Sequence, residues 1–128
     1  MWRVAVYAQE TPGRRGRDRL DRQVARLATG VARQPSWWHV ATYADQSLGA
    51  GWRSGLSRLL ADAPGRFDLV AVDGYRRISP DRCERDAVLA HLETAGVATV
   101  VLRPSAPRRL VTLAAEVALI DLIDGAVR

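Results

Sequence analysis

RVAVYAQET, residues 3–11, opens with alternating β-branched residues, a pattern typical of a strand. The glycine- and arginine-rich turn Pro12–Arg17 ends this strand. Apolar residues then recur at intervals of four, three and four, as one face of a helix requires: Leu20, Val24, Leu27 and Val31. The beginning of the chain therefore predicts a strand followed by a helix that packs against a sheet.

Strand and helix patterns continue to alternate along the chain. A second strand is predicted around Val40, a glycine-containing loop over Tyr43–Trp52, and a buried third strand over Asp68–Asp73. A helix that ends at Gly96 precedes a fourth strand, Val97–Leu102. Strands that alternate with helices through short loops predict an α/β fold, in which a mainly parallel four-stranded sheet carries helices on both faces.

Two helix starts are indicated by residues that cap helices. Asp18 is a plausible cap for the first helix, and Ser79 with Pro80 forms a cap and first-turn pair after the third strand. Both patterns predict a side-chain oxygen that accepts a hydrogen bond from the first turn of the helix.

The length of 128 residues predicts a single domain. We expect residues 1–106 to form the α/β unit and residues 107–128 to form a C-terminal helix of the same domain, with no separate DNA-binding domain. No apolar stretch is long enough to cross a bilayer and no signal peptide is visible, so we expect a cytoplasmic protein without membrane contact.

The C-terminal helix is apolar around most of its circumference, and such a helix needs cover on more than one side. Because so small a domain can cover only one side, the pattern favours a partner chain in a homodimer or higher oligomer. The residues expected at this contact are apolar: Leu113, Val117 and Ile120.

All basic residues are arginine and the net charge is +5, which favours encounter with polyanions. Candidate phosphate or DNA ligands are the clustered arginines Arg14, Arg15, Arg17 and Arg76. The single cysteine, Cys83, and the two histidines lack the spacing of metal ligands, so no metal site and no cofactor are expected.

Ligand sites in parallel α/β sheets gather at the carboxyl ends of the strands. In this chain those ends are Ala8–Thr11, Ala44–Ser47 and Asp73–Arg77. These three segments form the candidate site.

Four segments, in this order, resemble serine recombinases of the resolvase/invertase type: residues 3–11, LDRQVARL at 20–27, YADQSLGAGWRSGL at 43–56 and DLVAVDGYRRIS at 68–79. In that family the first strand ends in a pattern like YARVS, LDRQ opens the first helix, and an arginine-rich segment follows the third strand. The similarity spans about residues 3–103. It implies the same α/β fold and a reaction in which a serine hydroxyl attacks a DNA phosphodiester without a metal.

The resemblance also implies a role for individual residues. Thr11 stands at the position of the nucleophilic serine, Gln9 stands where the family has an arginine, and Gly74 replaces another arginine. Arg53 and Arg77 match the two remaining arginines of the family. Further polar positions that match are Gln23, Asp45 and Asp73.

Three replacements at one centre predict a degenerate active site, since catalytic residues that act as a unit are interdependent. The leading hypothesis is a catalytically impaired recombinase-like domain that self-associates, or pairs with a partner recombinase, in DNA recombination or its regulation. Without a reader of base edges, any DNA binding should be nonspecific and salt-dependent.

Two alternatives stay open from the sequence. One is an active, divergent site-specific recombinase that uses Thr11 as nucleophile. The other is a nucleotide- or anion-binding α/β module whose loop around Gly13 and Gly16 cradles the anion, although the glycine spacing does not fit a known phosphate-binding motif.

Overall fold

The structure, a computed structural model, describes residues 1–46 and 53–102. Strands and helices alternate along these residues, and a short 3₁₀ turn at Tyr75–Arg77 follows the third strand. Pro64 and Gly65 near the end of α2 have non-helical backbone. The elements are β1 (Trp2–Glu10), α1 (Gly16–Ala32), β2 (Trp37–Gln46), α2 (Ser54–Arg66), β3 (Leu69–Val72), α3 (Arg82–Thr94) and β4 (Ala98–Val101).

The four strands form one sheet in the order β2-β1-β3-β4, and every neighbouring pair is parallel. β1 therefore lies inside the sheet, which explains why Val4–Ala8 is fully buried. An ion pair between Arg3 and Asp68 joins the beginnings of β1 and β3 at 3.1 Å. The Arg3 hydrogen bond holds the pKa of the Asp68 carboxyl below its usual value.

Helices cover both faces of the sheet. Alternate residues of β1 point to opposite faces, and both sets are packed against helices. Val4, Val6 and Ala8 pack with the apolar face of α1, whereas Ala5 and Tyr7 pack with apolar residues of α2 and α3. The predicted α/β fold with a parallel four-stranded sheet and helices on both faces is confirmed.

The second strand lies at the edge of the sheet and contains an irregularity. Val4 pairs with His39 and Ala5 with Ala41, so Val40 is an extra residue in β2. Trp38 and Val40 are exposed on this strand, at 59% and 36% of their maximal surface. These two apolar residues of β2 therefore face solvent at the edge of the sheet and do not belong to its core.

Both predicted helix caps were wrong. α1 begins at Gly16, two residues before Asp18, because the missing side chain lets the helix start against the Thr11 carbonyl. Asp18 lies in the first turn, where a negative charge favours the helix dipole without capping it. In α3 the cap is Asp81, whose carboxylate accepts from the Cys83 amide at 3.1 Å, while Ser79 Oγ accepts from the Asp81 amide.

The predicted C-terminal helix, with Leu113, Val117 and Ile120, lies outside the described residues. So does the part of the predicted loop at 47–52. Among the helices that the structure describes, none has the length and apolar character needed to span a membrane.

Candidate functional site

The candidate site lies where the chain changes direction across the sheet. From β1 the chain passes to β2 on one side, and it then returns to β3 on the other side of β1. In parallel sheets, such a reversal leaves a crevice between the carboxyl ends of the two strands that flank it, here β1 and β3. Gln9 and Glu10 end β1 at this crevice, and Asp73 follows β3.

Gln23 holds the end of β1 in place. Its Oε1 accepts from the Gln9 amide at 3.0 Å, and its Nε2 donates to the Gln9 carbonyl at 3.1 Å. The last residue pair between β1 and β3 is Val6 with Ala71. Beyond it, the fully buried Gln23 side chain takes the place of β3 as the hydrogen-bond partner of the Gln9 amide and carbonyl. The position of Glu10 and Thr11 therefore depends on a side chain from α1.

Two carboxylates and three arginines form a network across the crevice, which we call the edge network: Arg19, Glu10, Arg77, Asp73 and Arg26. Arg77 Nη1 lies 3.2 Å from Glu10 Oε1, and Arg77 Nη2 lies 3.8 Å from Asp73 Oδ2. Arg19 reaches Glu10 Oε2 at 3.4 Å, and Arg26 reaches Asp73 Oδ2 at 3.4 Å. Both carboxylates are only 12% exposed, so solvent screens these pairs less than it screens surface pairs.

Thr11 lies just beyond β1 and is exposed. Its carbonyl packs closely on α1, since a Cβ at Gly16 would lie 2.5 Å from this oxygen. Across residues 1–46 and 53–102, no group forms a hydrogen bond with the Thr11 hydroxyl. The described site therefore holds a hydroxyl without an adjacent base.

Arg53, which precedes α2, is buried at 4% exposure. Its Nη1 donates to the Ile78 carbonyl, and its Nη2 donates to Glu84 Oε1 at 2.5 Å. Ser79 Oγ donates to the other Glu84 oxygen at 3.2 Å. The guanidinium thus joins the start of α2 to the start of α3, and its charge is balanced within the protein.

Asp45 at the end of β2 caps the start of α2. Its carboxylate accepts from the Gly55 amide at 2.7 Å, from the Leu56 amide at 2.8 Å and from the Tyr7 hydroxyl at 2.8 Å. Burial, together with this carboxylate, raises the pKa of Tyr7 above its ordinary range. Arg53 lies near the same hydroxyl, so Asp45, Tyr7 and Arg53 form a buried polar cluster beneath the site.

Four further arginines predicted as phosphate ligands are exposed on the segments after β1 and β3. The guanidiniums of Arg14, Arg15 and Arg76 form no ion pair or hydrogen bond with any residue that the structure describes. Arg17 pairs with Asp21 at 3.5 Å along the surface of α1. Among the described residues, Arg14, Arg15 and Arg76 therefore present positive charge to solvent without a paired carboxylate.

The cysteine and histidines stand apart from this site. Cys83 is exposed near the start of α3, and His39 Nε2 lies 2.9 Å from the Thr42 hydroxyl on β2. In the two described ranges, no three histidine, cysteine or acidic residues come together as metal ligands would.

The structure brings Gln9, Gln23, Asp73 and Arg77 together and places Asp45 with Arg53 in the separate buried cluster. Sequence reasoning missed several charged and polar members of these groups: Glu10, Arg19, Arg26, Glu84 and Tyr7. A signal existed for Glu10, since YAQET carries glutamate where the family pattern YARVS has valine. The other residues are ordinary helix or strand positions whose partners only the fold defines.

Replacing Gln23 by leucine should disturb the end of β1. The variant keeps the volume but removes both partners of the Gln9 backbone at a buried position. We expect the free energy of unfolding to fall by about 2–3 kcal/mol, the cost of buried backbone groups that lose their partners. Urea unfolding of Gln23→Leu against the surface control Arg22→Leu measures this effect, and equal stabilities would contradict the role of Gln23.

No protein-family model and no curated protein matches this sequence. Solved structures do match over nearly the whole chain. The C-terminal catalytic domain of ISC1926 TnpA, an IS607-like serine recombinase, has a TM-score of 0.70 at 21% identity, over 98% of this chain and 85% of that chain.

Two other matches have the same architecture. The N-terminal catalytic domain of TP901-1 integrase has a TM-score of 0.67 at 18% identity, over 93% of this chain and 95% of that chain. A resolvase family site-specific recombinase from Streptococcus pneumoniae has a TM-score of 0.66 at 16% identity, over 99% of this chain and 92% of that chain. The resemblance predicted from the sequence motifs is confirmed at the level of the fold.

Proposed function

We propose that this chain, which has the fold of serine recombinase catalytic domains, is a catalytically impaired recombinase-like domain. It acts by self-association, or by pairing with a partner such as an active recombinase, in DNA recombination or its regulation. Any contact with DNA is made through phosphates and is independent of base sequence.

The observation that carries this proposal is the pairing of both family-matched arginines with carboxylates. Arg53 is engaged by Glu84, and Arg77 by Glu10 and Asp73. Attack on a phosphodiester requires cations that offset the charge on the phosphoryl oxygens in the transition state. Cations already balanced by internal carboxylates supply little of that stabilisation.

The nucleophile position supports the same proposal. Thr11 carries a hydroxyl with no described hydrogen-bond partner, and it precedes Pro12, which restricts its backbone to extended conformations. Gln9 and Gly74 lack the charge of the arginines that the family has at their positions. An impaired centre on an intact scaffold is best suited to association with other proteins.

Association itself rests on the apolar sequence pattern of residues 108–126. A helix that is apolar around most of its circumference needs cover on more than one side, and a second copy of the chain would supply the cover that one small sheet unit cannot. Light scattering at micromolar concentration should give twice the chain mass of 14.1 kDa. A sharply monomeric species would contradict self-association.

The alternative, an active enzyme that uses Thr11, has one specific observation in its favour. Thr11 is exposed, and three exposed arginines of the segments that follow β1 and β3, Arg14, Arg15 and Arg76, have guanidiniums that pair with no described residue. These arginines have the charge to bind a phosphodiester in place of the paired ones. The two functions differ in whether a covalent bond to DNA forms.

A trapping assay separates the two functions. The chain is incubated with supercoiled DNA and with a suicide substrate, and a denaturing gel with mass spectrometry detects a protein–DNA adduct. We expect no adduct from the wild-type chain and none from Thr11→Ser, while an active serine recombinase included as positive control forms one. An adduct from the wild-type chain that is lost in Thr11→Ala would contradict the proposal and establish Thr11 as the nucleophile.

A further inference from the structure

Glu10 uses both of its carboxylate oxygens on arginines of the candidate site. Oε1 lies 3.2 Å from Arg77 Nη1, and Oε2 lies 3.4 Å from Arg19 Nε. The Glu10 side chain is 12% exposed, although it ends a strand at the surface of the sheet. A glutamate so enclosed, and bridging two guanidiniums, is a built-in ligand of those guanidiniums.

The same two groups would suit a phosphate. Guanidiniums bind phosphates and carboxylates in the same way, through N–H donors directed at pairs of negatively charged oxygens. Arg77 also donates to the Gln9 carbonyl at 3.1 Å, which holds its guanidinium at the end of β1. Glu10 therefore occupies the place at which an incoming phosphate oxygen would meet Arg77 and Arg19.

We propose that Glu10 is an internal counter-anion that excludes DNA phosphate from the edge network. The inference rests on the proposed function in one respect: the ligand is the phosphodiester backbone of DNA. It adds that a residue of this chain, and not only the loss of family arginines, keeps the centre closed to phosphate.

Charge within the edge network supports this inference. Three arginines face two carboxylates there, so the network carries a net charge of about +1, from three positive and two negative groups. With Glu10 neutral, the same network would carry two uncompensated positive charges. An anion on the same chain also competes at a high effective concentration, so a phosphate must displace it.

The positively charged surface has two zones: an outer zone of arginines outside the edge network and an inner zone of arginines within it. Arg14, Arg15 and Arg76 are exposed and pair with no described residue, so they attract DNA whether Glu10 is charged or not. Only the inner zone, with Arg77 and Arg19, depends on Glu10. Removal of the Glu10 charge should therefore add phosphate contacts to binding that already exists.

Fluorescence anisotropy with a labelled duplex of about 20 base pairs, over a salt series, tests the proposal. Glu10→Gln keeps an oxygen that can accept from Arg77 but removes the charge. We expect its affinity at low salt to rise about five- to tenfold, and its salt dependence to steepen by about one unit of slope, as one additional phosphate contact requires. Glu10→Val, with the residue of the family pattern, should behave in the same way.

Glu93→Gln is the matched control. Glu93 is exposed near the end of α3, pairs with no described side chain and has the same charge, so its variant changes the net charge equally away from the site. We expect it to leave the slope unchanged and the affinity within about twofold. Arg77→Ala and Arg19→Ala, both added to Glu10→Gln, should abolish the gain, because the two newly available guanidiniums are removed.

Equal gains for Glu10→Gln and Glu93→Gln, or a gain that survives the loss of both Arg77 and Arg19, would overturn the proposal. Thermal unfolding of each variant establishes that the chains compared are folded. A covalent adduct from the wild-type chain would contradict the proposed function but not this comparison, because DNA affinity is measured whether or not a strand is cut.

Discussion

Asp45→Ala should lower the free energy of unfolding by about 3–5 kcal/mol, because three hydrogen bonds to one buried carboxylate disappear together. Two of them cap the first turn of α2, whose own residues provide no side-chain cap. The third satisfies the hydroxyl of Tyr7, which is fully buried. A domain of this size is typically stable by only about 5–15 kcal/mol, so the variant should lie close to unfolding at room temperature.

Asp62→Ala is the control for this prediction. Asp62 also accepts from a tyrosine hydroxyl, that of Tyr43 at 2.6 Å, but it caps no helix and its side chain is 24% exposed. We expect a loss of about 1 kcal/mol, the typical contribution of one such bond. Urea unfolding followed by circular dichroism at low temperature measures both variants. If Asp45→Ala cost no more than Asp62→Ala, the cap from β2 to α2 would be refuted.

Arg53→Met should be the next most destabilising change, at about 2–4 kcal/mol, because it breaks a buried ion pair and removes the donor to the Ile78 carbonyl. The value lies below that of a fully enclosed pair, since the Glu84 side chain is 31% exposed and water can reach the carboxylate that remains. Chemical denaturation of the variant gives the loss directly.

Two further variants determine whether the loss comes from the pair. Arg53→Met combined with Glu84→Met should recover part of the stability, because the Glu84 carboxylate that loses its partner is removed as well. Arg77→Met should cost less, at about 1 kcal/mol, because its guanidinium is 32% exposed and the two carboxylates keep Arg19 and Arg26 as partners. Equal losses for Arg53→Met and Arg77→Met would contradict the structural role assigned to Arg53.

These variants also bear on the phosphate role that the resemblance implies for Arg53. A guanidinium that joins α2 to α3 can meet a DNA phosphate only by leaving Glu84 and the Ile78 carbonyl. Its match to a family arginine therefore stays a prediction. The edge network, which lies nearer to solvent, is the better place to look for phosphate binding.

Much of the fold could be predicted from the sequence because it depends on local periodicity. The alternation in β1 and the helical spacing from Leu20 to Val31 are visible in any short window of the chain. The residues at which the helices begin were harder to predict from the sequence. Gly16 begins α1 because of a close approach to the Thr11 carbonyl, and no pattern around Asp18 reports that contact.

The sequence by itself determined the α/β class, the order of strands and helices, and the absence of serine at position 11, and it predicted the carboxyl edge of the sheet as the place of the candidate site. The tertiary structure alone decided two of the ion pairs that carry the argument, because they join residues far apart in the chain. Arg77 meets Glu10 across 67 positions, and Arg53 meets Glu84 across 31. Periodicity predicts which face of an element is buried, but only the packed sheet determines which charges come close enough to neutralise one another.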